Sequence, residues 1–501
     1  MSLIEKAISE IFQKNFFFAV IFIGLIGVIA KRLIYLTSFP RGPWGLPLVG
    51  YIPWMGKCGH QKLAELGKKY GGIFSITLGS QTVVILNDWP AVKASVVEQT
   101  KIFSGRPTVP SLEATLRRKN IGNGHGPIWK KQRNLTVHCL RSVGMGKKSL
   151  EGHCSQIAQD IVDKLRPFEN SNAPMKSMFF GPILVANWAL ISSYDFKENK
   201  DLKKFETVMR QLLSGISAHH LFNIIPWLRF LPPNGFGFWN LLRLNEEILS
   251  YLRKLIDEHS VNWKAGMKND DVIDYYLSEI AKRKGDNNNS EPPYDMDYLL
   301  GSLWSLFMAG IDTVDSTCMW GVLLLAHNPD VQLKAQNEID AVVGRHRLPN
   351  LDDFPRLPYV EAFILEVNRW ACILPLALPH MATETTYING HKILKGTTCI
   401  QNIYAVHHDP NLWDDPESIK PERFLDENNK VKCPPYYMPF SIGQRKCLGE
   451  PLADMLLKLV FSYLIHQFAF NFPKDMPKPT LEHVVGLTVQ PPPFSLFLQP
   501  R

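Results

Sequence analysis

The chain has 501 residues, 45% hydrophobic and 20% charged, with a formal net charge of +8 at pH 7. That balance excludes a disordered chain, and at roughly 150 residues per domain it allows a few small domains or one large globule. The basic residues are dispersed, without aromatic–basic or zinc-finger spacing. This excludes nucleic acid as the partner and leaves an acidic protein or a membrane surface.

Phe16 to Ala30 carries no charge. It is short of the roughly 20 residues that cross a bilayer, but Phe16–Leu36 reaches that length if Lys31 and Arg32 snorkel. Val28–Ala30 resembles a signal-peptide cleavage site. Glu5 and Glu10 argue against a signal peptide and a mitochondrial presequence alike. Residues 1–36 are therefore expected to be an uncleaved transmembrane anchor. Lys31, Arg32 and Arg41 after the span, against Lys6 and Lys14 before it, place the body in the cytosol. Residues 37–50 include "FPRGPWGLPLVG", whose alternating Pro and Gly predict a stiff extended hinge. Residues 51–501 contain no second linker and no repeat. Only short tracts such as Lys284–Pro293 read as disordered.

Within that body the long apolar run Leu299–Asp330 places Leu303, Phe307, Ile311 and Val314 on one helical face. Asp312 and Asp315 make a second membrane span costly, so the run predicts a helix through a large core. Val331–Gly344 and Leu357–Trp370 predict further amphipathic helices. Asn389-Gly390, between strand-like runs in Thr385–Ile393, predicts a hairpin. The C-terminal "PPPFSLFLQP" reads as extended. The sum is mainly α with small β-sheets.

The eight cysteines are irregularly spaced and form no CxxC, as isolated thiols of a reducing compartment do. Cys447 is set apart by its surroundings, "PFSIGQRKCLGE". Gly443 permits a tight turn before the thiol. Arg445 and Lys446 would favour a thiolate, as would the N-terminus of the apolar helix that follows. A buried structural cysteine is the plainer reading. A nucleophile would need a histidine base that no motif assigns. A metal site would need more protein ligands or a cofactor that brings its own.

"FSIGQRKCLG" resembles the haem-binding signature of the cytochrome P-450 superfamily at Phe440, Gly443, Arg445, Cys447 and Gly449. The resemblance extends over the chain. The anchor and hinge are similar to those of the microsomal drug-, toxin- and steroid-metabolising branch. "WKKQR" (Trp129–Arg133), "AGIDT" (Ala309–Thr313), "EVNR" (Glu366–Arg369) and "PERF" (Pro421–Phe424) follow in family order.

The resemblance implies the cytochrome P-450 fold as one catalytic domain, and Cys447 as the axial thiolate of haem b, iron protoporphyrin IX. Such a ligand favours O–O cleavage. It implies that Ala309 and Gly310 let a helix pass close over the macrocycle, and that Asp312 and Thr313 guide protons to dioxygen. Thr313 can also bond a carbonyl one turn back and bend that helix. Trp129, Arg133, Arg445 and His380 are assigned to the haem propionates. Glu366, Arg369 and Arg423 are assigned to a buried ion network that supports the cysteine loop. Substrate contacts are expected at Ser104–Gly124, Leu213–Phe230, the helix before Thr313, Ile373–Leu378 and Val484–Thr488, apolar stretches that suit a lipophile. Asn223–Pro233 is a candidate to dip into the bilayer.

The expected activity is monooxygenation of lipophilic xenobiotics, steroids or fatty acids. Electrons would come from NADPH through a flavoprotein reductase that docks on Lys130, Lys131, Arg141 and Lys446. Cytochrome b5 is a further candidate donor. The location implied is the endoplasmic reticulum membrane. A haem-thiolate isomerase or dehydratase and a non-catalytic haem protein are the alternatives, and neither needs the Asp312–Thr313 pair.

Overall fold

Proline and glycine keep the hinge extended. Between Phe39 and Tyr51 the chain forms only isolated bridges, Leu46 to Gly50 and Gly50 to Leu78. Gly50 lies at φ +67°, and a Cβ there would stand 2.2 Å from Thr77 O, so a side chain does not fit. The computed structural model describes Gly27 and residues 35–501, apart from residues 115, 177, 193–200, 216–220, 265 and 285–291. The expected anchor thus lies outside the described residues except for Gly27, Tyr35 and Leu36. So does most of Lys284–Pro293. No helix among the described residues is long and apolar enough to cross a membrane.

The hinge leads into a four-stranded sheet in the spatial order Ile73–Leu78, Gln81–Leu86, Thr398–Gln401, His380–Met381. Its middle pair is parallel and the outer pairs are antiparallel. The C-terminal Ser495–Pro500 is the central strand of a second sheet, between Ser171–Pro174 and Phe468–Asn471. The Asn-Gly signal is met: Thr386–Ile388 and His391–Ile393 pair across Asn389 and Gly390, both at positive φ, as a type I′ turn requires.

Helices fill the rest. Those that position the site are α1 (Gly126–Ser142), α2 (Glu151–Leu165), α3 (Phe180–Ile191), α4 (Asp201–Gly215), α5 (Met296–Gly310), α6 (Asp312–His327), α7 (Pro358–Ala371) and α8 (Glu450–Gln467). Their apolar faces, with strand residues, form one large core. The run expected as a single helix is two, α5 and α6. The break falls at Ile311, at φ −97° and ψ −62°, because a side chain takes a carbonyl of the ladder (below). Leu303, Phe307, Ile311 and Val314 are buried as expected. The α6 backbone comes close to α8, where a Cβ on Gly321 would meet the Phe461 ring at 2.1 Å. Asp312 and Asp315 are buried in the core of this globule.

Candidate active site at the cysteine loop

The cysteine loop is a backbone construction. A 3₁₀ turn, Gly443–Arg445, precedes the thiol, and the Cys447 N–H donates to Phe440 O at 2.9 Å. Gly443 has φ +75°, and a Cβ there would stand 1.9 Å from Val96 O. The loop therefore packs on residue 96 in a way open only to glycine. Gly449 is different: a Cβ there would approach nothing nearer than Cys447 Sγ at 3.9 Å, so space is open beside the sulfur.

Cys447 is solvent-accessible yet surrounded by protein, as a side chain facing an internal cleft is. Burial raises its pKa above the ordinary thiol value, and the Glu450 charge adds to this. The backbone N–H groups of Gly449 and Glu450, at the start of α8, and the Arg133 charge pull the other way. The helix N-terminus thus acts as expected, but Arg445 and Lys446 do not. Lys446 Nζ pairs with Glu450 at 2.6 Å, and the Arg445 guanidinium lies 3.4 Å over the Trp129 ring. The cation that favours this thiolate is Arg133, which α1 aims at the loop with a hydrogen bond to Lys446 O.

Beside the loop sit three guanidiniums, Arg106, Arg133 and Arg445, none of which forms a salt bridge among the described residues. Arg445 donates to Ser104 O and, at 2.7 Å, to Gly124 O, while its Nη1 is buried with no partner among the described residues. Arg106 is buried, donating to Gly122 O at 3.1 Å, Leu378 O at 2.7 Å and Pro379 O at 2.8 Å. Burial, then the neighbouring Arg106 and Arg133, press the Arg445 pKa down to about 8. A guanidinium this close to Trp129 remains a cation at neutral pH. His380 is buried with Nδ1 at 2.6 Å from Phe103 O, and burial lowers it to about 3, so its ring is neutral and Nδ1 donates. Trp129 donates its indole N–H to Ile121 O at 2.9 Å. That N–H is not free for a carboxylate, and Trp129 offers its ring as a platform for Arg445.

Buried cations need counter-anions. An orphaned Nη1 beside two more guanidiniums is what the two propionates of a haem would satisfy, so the residues fit the group. Arg106 escaped sequence reasoning, since it falls within the Ser104–Gly124 stretch read as apolar substrate contact. An arginine in such a stretch was the available signal.

The helices α5 and α6 meet at their break. Thr313 donates its hydroxyl to Ala309 O at 2.7 Å, as anticipated. Ala309 is exposed within an otherwise buried stretch of helix, so it faces a cleft. Gly310 does not: a Cβ there would stand 3.1 Å from the Asn187 amide, so its small size admits α3. The Asp312 carboxylate, next to Thr313 in the chain, accepts from Thr488 Oγ1 at 2.6 Å and Gln490 Nε2 at 3.1 Å. Burial raises its pKa.

The five stretches expected to contact substrate are bonded to one another. Ser111 N reaches Asn223 Oδ1 at 3.0 Å, and Ile121 N reaches Ser305 Oγ on α5 at 3.0 Å. Arg106 holds Leu378 O, and Thr488 Oγ1 donates to Asp312 Oδ2, directly before Thr313, at 2.6 Å.

Beneath the loop, Glu366 and Arg369 on α7 are both fully buried. Arg369 chelates Glu366 at 2.7 and 2.9 Å and donates to His407 O at 2.7 Å and Pro416 O at 2.8 Å. Arg423 Nε reaches Glu366 Oε1 at 3.1 Å. His407, which sequence reasoning missed, accepts the Met438 N–H at Nε2, 3.0 Å away. Burial holds it neutral at about 3. This connects the ion network to the residue preceding "PFSIGQRKC".

The sequence profile of the family Cytochrome P-450 matches residues 40–498 of this chain. The chain belongs to the cytochrome P-450 family. It is 35% identical to human Cytochrome P-450 2U1 over 444 residues, covering 88% of this chain and 80% of that protein. It is 33% identical to human Cytochrome P-450 2J2, covering 93% and 92%. It is 32% identical to Cytochrome P-450 18a1 of Drosophila melanogaster, covering 96% and 91%. The mainly helical fold with small sheets is that of the family. Membership makes this cytochrome P-450 a haem-thiolate monooxygenase of the drug- and xenobiotic-metabolising branch, with haem iron as cofactor.

Proposed function

We propose that this cytochrome P-450 uses dioxygen and NADPH-derived electrons to oxidise a lipophilic small molecule at the membrane surface. Bound at Cys447, the haem supplies oxygen activation and atom transfer. The chain's residues do the rest. Cys447 holds the iron, and Arg445, Arg133, Arg106 and His380 receive the propionates. An anion beside His380 would draw a proton onto its Nε2 and turn it into a second donor. Thr313 and Asp312 manage protons. The observation that carries this reading is the bond from Thr313 to Ala309 O at the α5–α6 break. It keeps a hydroxyl at a helix opening, with the Asp312 carboxylate one residue away. An isomerase or a haem carrier has no use for such an arrangement.

Thr313→Ala is expected to keep NADPH oxidation near the wild-type rate while lowering product per NADPH by roughly tenfold or more. Stopped-flow oxygen uptake with product analysis would measure this, and unchanged coupling would remove Thr313 from the reaction.

Two surfaces support the partners. Lys130, Lys131, Arg141 and Lys446 are exposed near the Cys447 side, as docking of an acidic reductase requires. Trp44, Leu48, Trp227, Phe230, Phe236 and Trp239 are exposed. Two contacts gather them: Gly79 N donates to Val49 O at 3.1 Å, and a Cβ on Gly79 would lie 2.2 Å from Ile224 O. An apolar face of this kind suits the acyl boundary of a bilayer and supports an endoplasmic reticulum location. Trp227→Glu with Phe230→Glu should raise KM severalfold for a probe dissolved in vesicles and leave kcat unchanged. Equal KM for vesicle-borne probe would argue against this face.

A further inference from the structure

Asp315 stands one helical turn beyond Asp312 on α6, and nothing above gives it a task. It is buried; its carboxylate takes the backbone N–H of Phe180, and Oδ1 has no partner among the described residues. Charged groups from two other helices converge on it. Arg210 on α4 chelates Glu206 Oε1 at 3.1 and 2.7 Å and lies 3.8 Å over the Phe180 ring. Lys164 Nζ on α2 and both Glu206 carboxylate oxygens come within 3.6 and 3.8 Å of the point where a Gly181 Cβ would sit. Lys164 is exposed, and Glu206 and Arg210 are partly so. The cluster therefore runs from solvent to Phe180 and Gly181, and the Phe180 N–H holds the buried acid.

The groups facing Asp315 are Lys164 from α2, Arg210 from α4, and Asp312 and Cys318 from its own helix; α3 offers the Phe180 backbone N–H. Burial first, then the Asp312 charge, raise its pKa to about 7, against Arg210 and Lys164. A carboxylate kept for an ion pair would be lowered instead. An acid that exchanges its proton near neutrality, behind another acid, is the arrangement of a relay.

We propose that Asp315 is a proton-relay residue, taking a proton from Lys164 at the surface and passing it to Asp312, which serves Thr313. The step moves protons only. A Lys164 N–H bond breaks as an O–H bond forms on Asp315, and solvent reprotonates Lys164 beside Glu206. The Asp315 O–H bond then breaks as one forms on Asp312. The relay rests on the role given to Asp312 and Thr313 above.

The test uses the full chain with haem, in phosphatidylcholine vesicles. Infrared spectra of the resting protein between about pH 6 and 8 should show a protonated-carboxyl C=O band that titrates, is absent in Asp315→Asn and persists in Thr313→Ala. With NADPH, reductase and the lipophilic ether ethoxycoumarin, Asp315→Asn and Lys164→Met should each lower product per NADPH by roughly tenfold. Both should match wild type when hydrogen peroxide, which brings its own protons, replaces NADPH. A missing band, or coupling within about twofold of wild type in Asp315→Asn, overturns the relay. If Asp315→Asn does not fold, normal coupling in Lys164→Met overturns it. Coupled turnover in Thr313→Ala strikes the underlying reading instead. Uncoupling there with normal Asp315→Asn strikes the relay alone.

Discussion

Cys447→Ser is expected to fold and still receive haem, yet to lose NADPH-dependent oxidation and the red-shifted Soret band of the reduced carbon monoxide complex. Folding should survive because the loop does not depend on sulfur. Its turn is set by Gly443 against Val96 O and by the Cys447 N–H on Phe440 O. The propionate cations are also independent of it. The lost property is electronic: thiolate is a softer, stronger donor to iron than an alcohol oxygen. The protein prepares for a thiolate with the Gly449 and Glu450 N–H groups and with Arg133, while burial favours the thiol. A bound metal decides between them, since a coordinating thiol is deprotonated outright. Absorption spectra of the two reduced complexes check the result. A surviving band in the serine variant would move the axial ligand elsewhere.

The second large effect is expected at Glu366. Glu366→Gln keeps the shape but leaves the buried Arg369 and Arg423 guanidiniums without their carboxylate. Breaking a buried pair in this way costs roughly 3–5 kcal/mol. The loss should spread to the cysteine loop. Arg369 also positions His407 through its carbonyl, and His407 holds the Met438 N–H. Urea unfolding should show the lower stability, and haem occupancy after purification should fall with it. A loss below about 1 kcal/mol with full occupancy would reduce the network to a bystander. Arg423→Ala should cost less, because Arg423 makes only one bond to Glu366 and gives its others to the carbonyls of Asp414, Asp415 and Ser418.

What could be read from the sequence was what lies close together in it. The Cys447 loop, the Asn389-Gly390 hairpin and the helical face of Leu303, Phe307 and Ile311 are local patterns, and each is found. The Thr313 bond to Ala309 spans one helical turn and was also legible, although the full interruption at Ile311 was not. The rest needed contacts between distant segments. Arg106 meets Arg445 only because loop and sheet bring residues 106, 380 and 445 together. His407 joins the ion network through backbone atoms, which leave no residue pattern. Gly310 was expected to let its helix pass close over the macrocycle, and its small size is also what admits Asn187. Trp129 was expected to donate to a carboxylate and donates to Ile121 O. In both cases the residue type was read correctly, but its neighbour was decided by tertiary packing.

The cluster of Arg106, Arg133 and Arg445, without a salt bridge among the described residues, also bears on how the protein matures. Three guanidiniums drawn together by folding alone repel one another, and each joins a different part of the chain to the seam around Cys447. The dianionic edge of haem removes that repulsion, so its binding free energy is also folding free energy for the seam. Haem is then expected to tighten the seam where Arg445 holds Ser104 O and Gly124 O. Chains made faster than haem is supplied are then expected to be less stable at that seam, so haem supply should limit how much finished protein accumulates.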